Sequence, residues 1–329
     1  MATGYARKGA AAQAQGNAVS SVGGILRLLS GGATEAILLA LGDGPLQTKV
    51  LTHRVRGYTP RTIYRYLPKL ARLGLVERSG EPSGSSKVVN TLTAEAGRDM
   101  CAVIERFARA SMTRLPGGQV ELRTWGALGL LADLWEAGVV EALSHGPRSS
   151  TELVQRQRGL SYHQVNRKVG QFKEAGFLRE SKRPPKRQRS YALTEKARRT
   201  MGLVADVGRW RACHLPDLGE EGVALEEMAT IVRAALPLAT LEPHAGKGLG
   251  IRVSDSREVE TWARVDEEGI LRPVDEAPAL VSAEVAGDVG AWLSALLDSE
   301  SQLAVDGDAA LVADCLAGIY AKLWTPSPF

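Results

Sequence analysis

The sequence predicts an α+β protein in which a duplicated unit of three helices and a hairpin precedes a smaller mixed α/β domain. Three observations predict it: a long self-match, a recurring helix–helix–helix–strand–strand order of signals, and a reversal of charge after residue 222. Residues 21–189 align on themselves at a shift of 102 residues, Gly44-Pro45 falling on Gly146-Pro147. Gly24, Leu26, Leu28 and Leu29 meet Gly126, Leu128, Leu130 and Leu131; Leu51, Arg54, Arg56 and Gly57 meet Leu153, Arg156, Arg158 and Gly159; Arg65, Gly74 and Ser79 meet Arg167, Gly176 and Ser181. One residue is then gained in a basic loop, and Leu92-Thr93 meets Leu193-Thr194. A register held this long marks a duplicated domain, and its period exceeds the roughly 20–50 residues of a solenoid unit. The expected organisation is a tail over 1–20, repeats over 21–115 and 119–215, and a third domain over 223–329.

Within the first copy, Ile37, Leu38 and Leu41 lie on one face of a helix over 33–41, which the breakers Gly42-Asp43-Gly44-Pro45 stop. A second helix over 47–56 turns Val50 and Leu51 inward and closes at Gly57. Thr59 is placed to cap a third helix with Pro60 in its first position, and Ile63, Leu67, Leu70 and Leu73 form one apolar stripe before Gly74. Residues 75–78 and 88–92 read as strands around a Gly- and Ser-rich tip over 80–86. Three helices and a hairpin is the winged helix-turn-helix order. In the second copy the third helix keeps its stripe as Val165, Val169, Phe172 and Ala175 behind the cap Ser161. Pro68 matches Gly170; both weaken a helix interior, and neither offers a base-reading group, so a kink or a tight packing contact is expected there. Beyond each hairpin, Thr93 and Thr194 are expected to cap long amphipathic helices carrying Met100, Val103, Ile104 and Phe107, and Met201, Val204 and Val207.

Charge separates the regions. Residues 1–118 hold 16 basic and 7 acidic side chains, 119–222 hold 18 and 12, and 223–329 hold 7 and 18, within a net charge of +4. The repeats therefore suit a polyanion and the last domain does not. No apolar run reaches the roughly 18 residues that span a bilayer, so a cytoplasmic chain without membrane contact is expected. The three cysteines, Cys101, Cys213 and Cys315, are far apart and point to neither disulfides nor a zinc site.

The outward residues of the third helices are the candidate DNA contacts. They are Arg61, Thr62, Arg65, Lys69 and Arg72 in the first copy, and His163, Gln164, Asn166 and Arg167 in the second, with Gln171 and Lys173 beside them. Arginine suits guanine O6 and N7, amides suit adenine N6 and N7, and the first turns of such a helix approach the major groove. The hairpin tips differ. The first contributes Lys87 among Gly and Ser; the second carries Lys182, Arg183, Lys186, Arg187 and Arg189, spaced by Pro184-Pro185, a density of charge suited to phosphates.

The run Leu73-Gly74-Leu75-Val76-Glu77-Arg78, followed by Leu92-Thr93-Ala94-Glu95-Ala96, resembles the MarR and HxlR families of bacterial winged-helix transcription regulators. Ala175-Gly176-Phe177-Leu178-Arg179 and Ser190-Tyr191-Ala192-Leu193-Thr194-Glu195-Lys196 are closer to the HxlR pattern, with Ala96 and Ala197 where that motif usually ends in glycine. The resemblance implies a DNA-binding transcriptional regulator in the nucleoid; its members present two reading heads by dimerising, whereas this chain already holds two.

After a linker over 216–222, a helix over 224–235 precedes strands at 249–253, 260–264 and 270–273. Residues 280–285 run into Gly287-Asp288, and 303–305 into Gly307-Asp308, each aspartate capping a helix: Val289, Trp292, Leu293, Leu296 and Leu297 inward in one; Val312, Cys315, Leu316, Ile319 and Tyr320 in the other. This pattern resembles the sterol-carrier-protein-like domains found behind some HxlR-type heads, and implies an apolar cavity and a hydrophobic small-molecule effector. Expected partners are therefore double-stranded DNA and that effector. A homodimer stays open, since the flanking helices offer apolar surface either to the other copy or to a second chain. No cofactor or catalytic group is expected: Gly246-Lys247-Gly248-Leu249-Gly250 lacks phosphate-loop spacing, and the five histidines form no metal or triad pattern. The alternatives are a sequence-independent nucleoid protein and an enzyme with winged-helix accessory domains.

Overall fold

The computed structural model describes residues 21–80, 88–111, 128–133, 135, 138–156, 161–181, 189–215, 225–255, 257–298 and 302–324, with side chains omitted at 108–111. The expected tail, the linker and nearly all of both hairpin tips lie outside these residues. The fold is α+β, and the described residues divide into two units: residues up to 132 with 207–215, and 133–206 with 225–324.

The first repeat runs α1 (Val22–Leu29), α2 (Ala33–Gly42), β1 (Leu46–Gln47), α3 (Thr48–Arg54), α4 (Pro60–Arg72), β2 (Val76–Ser79), β3 (Val89–Leu92) and α5 (Ala96–Ser111). In the second repeat come α6 (Val139–Ser144), β4 (Arg148–Ser149), α7 (Ser150–Arg156), α8 (Tyr162–Glu174), β5 (Leu178–Ser181), β6 (Ser190–Leu193), α9 (Glu195–Arg199) and α10 (Met201–His214). From β1 to β2 every boundary recurs at the shift set by Gly44 and Gly146, and each copy forms one antiparallel sheet, β1-β3-β2 and β4-β6-β5. The helix-closing glycines keep their conformation too, Gly74 at φ 67° and Gly176 at φ 75°, a left-handed turn that side chains bearing a Cβ resist.

Local chemistry explains the recurrence. The Thr59 hydroxyl accepts from the Thr62 N–H at 3.3 Å; Ser161 does the same for Gln164, whose side chain accepts back from the Ser161 N–H at 2.8 Å. Ile63, Leu67 and Leu70, and their counterparts Val165, Val169 and Phe172, are buried, each contributing about 2 kcal/mol of apolar transfer. The threonine of each Leu-Thr pair is a fastener. Thr93 Oγ1 donates to the Gly74 carbonyl at 2.6 Å and accepts from the Gly97 N–H at 2.7 Å; Thr194 Oγ1 donates to the Gly176 carbonyl at 2.7 Å and accepts from the Ala197 N–H at 3.2 Å. One hydroxyl thus joins the end of the third helix to the start of the helix after the hairpin.

Several expectations need correction. Val50 points outward, 47% exposed: the buried stripe of α3 is Thr48, Leu51 and Val55, because Thr48 donates to the Val88 carbonyl at 3.1 Å and accepts from Asn90 Nδ2 at 3.0 Å, fixing the helix one residue away from a purely apolar face. The long helix after Thr194 is broken at Thr200, whose hydroxyl donates to the Ala197 carbonyl at 2.6 Å, so α9 and α10 are separate. Pro68 is exposed within a single helix, and a Cβ added at Gly170 would meet nothing within 4 Å, so the expected tight contact is absent there; nothing in the structure explains that glycine. Ala175, Val289, Leu316 and Tyr320 are only half-buried, since each lies at a helix end or beside the stripe that Leu311, Cys315, Ile319 and Leu323 complete.

The acidic domain opens with α11 (Leu225–Ala235) and continues through β7 (Gly248–Ser254), β8 (Glu258–Val265), β9 (Leu271–Val274), β10 (Val281–Asp288), α12 (Val289–Leu297), β11 (Ala304–Gly307) and α13 (Ala309–Trp324). Its sheet has the order β11-β10-β7-β8-β9, with β10 parallel to β7 and the other pairs antiparallel. Leu249, Ile251, Val253, Ala263, Val265, Ala283 and Val285 alternate inward with the buried sides of α11 to α13, while Glu258, Glu260, Arg264 and Glu284 lie on the other face together with the half-buried Trp262. Both Gly-Asp pairs cap as expected, Asp288 accepting from the Ala291 N–H at 2.7 Å and Asp308 from the Leu311 N–H at 3.1 Å.

Candidate nucleic-acid interface

With Ile63, Leu67 and Leu70 inside, α4 turns Arg61, Tyr64, Arg65, Pro68, Lys69 and Arg72 to solvent. Helical spacing places Arg61, Tyr64, Arg65, Pro68 and Arg72 on one outer stripe. Arg65 and Lys69 both stand over the Tyr66 ring, at 5.4 and 5.6 Å from its centroid, so one aromatic ring steadies two cations. Thr62 is half-buried and its hydroxyl lies 3.0 Å from that of Thr59, so it serves the cap first.

The corresponding stripe of α8 is His163, Asn166, Arg167, Gly170 and Glu174, with Gln171 alongside. His163, Gln164 and Arg167 are exposed, whereas Asn166 is half-buried. Gln164 departs from its expected role: its carbonyl oxygen is held by the Ser161 N–H, so the capping box uses the acceptor that an adenine-reading amide needs. Lys173 is drawn to Glu180 at 2.5 Å, and that lysine holds the Glu180 carboxyl below its ordinary range, so an exposed carboxylate offsets this cation. Arg189 is exposed; Lys87, Lys182, Arg183, Lys186 and Arg187 lie outside the described residues.

Two aromatic side chains belong with these groups. Tyr162, 52% exposed at the first position of α8, meets His163 edge to face with ring centroids 6.4 Å apart, and Tyr64 is 39% exposed at the position matching Asn166. Tyr64 lies on the outward stripe that the helical period gives, whereas Tyr162, three and seven residues before Val165 and Val169, falls on the inner one by period, so its exposure is seen only in the structure.

Among the described residues, no group of three His, Cys, Asp or Glu side chains is placed to hold a metal ion. Burial pushes the Cys101 thiol up to about 11 and that of Cys315 to about 12, away from the thiolate form a nucleophile needs. His244 lies 2.9 Å from Asp314, and Lys247 donates to His244 Nδ1 at 3.1 Å and to Asp308 at 2.6 Å, a chain that ties α13 to the start of β7. A concavity of about 880 Å³ on the acidic domain has a mixed lining, with Arg264, Asp266, Glu267, Glu268 and Arg272 beside Ala245, Gly246, Val265 and Val274. No single helix among the described residues is long and apolar enough to cross a membrane. Compared with known proteins, the chain matches no family model and no curated protein.

Proposed function

We propose that each repeat is a winged helix-turn-helix reading head and that the chain is a sequence-specific DNA-binding regulator which reads one bipartite, asymmetric site. The observation that carries this reading is the pair of outer stripes: two helices held at the same register within their repeats turn Arg61, Arg65, Lys69 and Arg72, and His163, Arg167 and Gln171, to solvent, with Asn166 half-buried among them. A charged outer face is common on any surface helix. Here it recurs on the same helix of both copies, in the two segments with an excess of base, and it carries groups that match base edges and phosphates. Arg65 and Arg167 are the one cation the two stripes share, whereas Arg61, Tyr64, Lys69 and Arg72 have become His163, Asn166, Gln171 and Glu174, so the half-sites differ.

In binding to libraries of duplexes, Arg65→Ala and Asn166→Ala each relax preference at one or two base pairs, by about 1–3 kcal/mol, in different halves of the site. Replacing Lys186 and Arg187 weakens every duplex alike and flattens the salt dependence. Raised salt separates the rival coating protein: it loses all duplexes together, whereas a regulator keeps its preferred site. Unchanged base preference in both helix variants overturns the assignment.

A further inference from the structure

The second copy has diverged where it meets the acidic domain. Asp43, which follows α2 and pairs with Arg54, corresponds to His145; Leu46 in β1 corresponds to Arg148; Gly97, where an added Cβ would stand 2.5 Å from the Leu75 carbonyl, corresponds to Arg198. All three replacements reach the acidic domain, with which the second repeat shares a unit. Arg198 donates to the Ala234 carbonyl at 2.7 Å, in the last turn of α11, where helix carbonyls lack partners and the dipole favours a cation. Arg148 is 3.5 Å from Asp275, which is also 3.8 Å from His145 Nδ1.

Arg233 of α11 joins the two sides. Its Nε and Nη2 donate to Thr261 Oγ1 in β8 at 3.2 and 2.9 Å, and its Nη1 lies 2.7 Å from His145 Nε2. A guanidinium only donates, so Nε2 accepts and the imidazole proton sits on Nδ1, towards Asp275. The residues facing His145 fit a neutral ring: Arg233, Arg156 and Arg148 disfavour its charged form and Asp275 alone favours it. With burial as the largest cause, they hold it down to about 4. His145 ends α6 immediately before the Gly146-Pro147 turn and β4, the strand that pairs with the hairpin. The first copy answers the same position with a local pair, Asp43 and Arg54.

We propose that the acidic domain positions the second reading helix through Arg233 and Arg198, which makes that head, and not the first, responsive to the state of the acidic domain. Reading α8 as a DNA-contacting helix underlies this assignment, but its physical basis is measurable without DNA. Hydrogen exchange on the full chain compares 139–156 and 162–174 with their internal controls, 33–54 and 60–72. Arg233→Met and Arg198→Met are expected to speed exchange in the second set at least about tenfold, the loss of charged hydrogen bonds, and to leave the first set unchanged. Arg233→Lys recovers part of the protection, because an ammonium reaches one partner but does not span both. Histidine NMR places His145 titration near 4 in the wild type and moves it towards 6.5 in Arg233→Met. On DNA, the variants lose affinity for the second half-site alone.

Equal changes in both repeats, no change in either, or wild-type titration of His145 near 6.5 overturns the proposal. If Arg233→Met does not fold, the lysine variant and the wild-type titration decide it. If the exchange result holds while wild-type protein selects no DNA, the reading of α8 fails and the positioning stands.

Discussion

The two repeats share a backbone and differ in what surrounds it. In the first, Asp43 and Arg54 close a local pair and Gly97 lies against the Leu75 carbonyl; in the second, the same three positions are His145, Arg156 and Arg198, and two of them reach into the acidic domain. Their third helices have parted as well. One outer stripe is dominated by arginine and lysine steadied by Tyr66, the other carries His163, Asn166 and Gln171 and ends in Glu174. Duplication preserved the residues that set the fold, the capping hydroxyls, left-handed glycines and inner stripes, and left the rest free to specialise.

The sharpest way to break this comparison is through the cores, where the copies are expected to behave alike. Phe172 matches Leu70; Phe172→Ala is expected to cost about 4 kcal/mol and Leu70→Ala about 3 kcal/mol, each lowering the melting temperature in calorimetry. A large difference in sign or size would mean that the copies do not share a core. Exchanging a diverged residue has a smaller, one-sided effect. Gly97→Arg drives a Cβ onto the Leu75 carbonyl and the Leu92 side chain and is expected to cost about 2–3 kcal/mol, although arginine is native at the matching position of the second copy.

The pH dependence is also one-sided. An unfolded histidine near 6.5 binds a proton that the folded His145 refuses until about 4, so the unfolded state gains protons first as pH falls. The stability is fully present above pH 6.5 and is lost between 6.5 and 4, about 3 kcal/mol from the shift alone and on the order of 2 kcal/mol once solvent screening of this half-buried ring is included. His145→Gln is expected to flatten that slope in urea melts at successive pH values. The caps should give the smallest effects: Thr59→Ala and Ser161→Ala about 1 kcal/mol each, since each removes one hydroxyl acceptor, while Gln164 keeps its bond from the Ser161 backbone N–H.

Most of the secondary structure was legible because its signals are local. Thr59-Pro60, Ser161, Gly74 and the inner stripes mark the third helices from sequence alone, and the self-match places the second set once the first is known. Val50 was misread because apolar period outweighed Thr48, a polar side chain whose partners, Val88 and Asn90, are distant in sequence. The break at Thr200 was missed because Ala197, Met201 and Val204 keep the helical spacing across it. Within the interface, exposure followed from the period, yet the use of Gln164 in its own cap and the role of Arg198 depended on geometry. Setting Gly97 beside Arg198 and Asp43 beside His145 shows that the copies diverge there, but only the structure supplies Ala234 and Arg233 as the reason.

The central claim is that two unlike heads read one site, and selection of bound fragments from random double-stranded DNA by the full chain tests it most directly. The account predicts enrichment of a bipartite sequence with two different halves, each half blurred by substitution of one helix alone, through Arg65 or through Asn166. Recovery of no preferred sequence, or of a perfect palindrome that both substitutions blur equally, would contradict it.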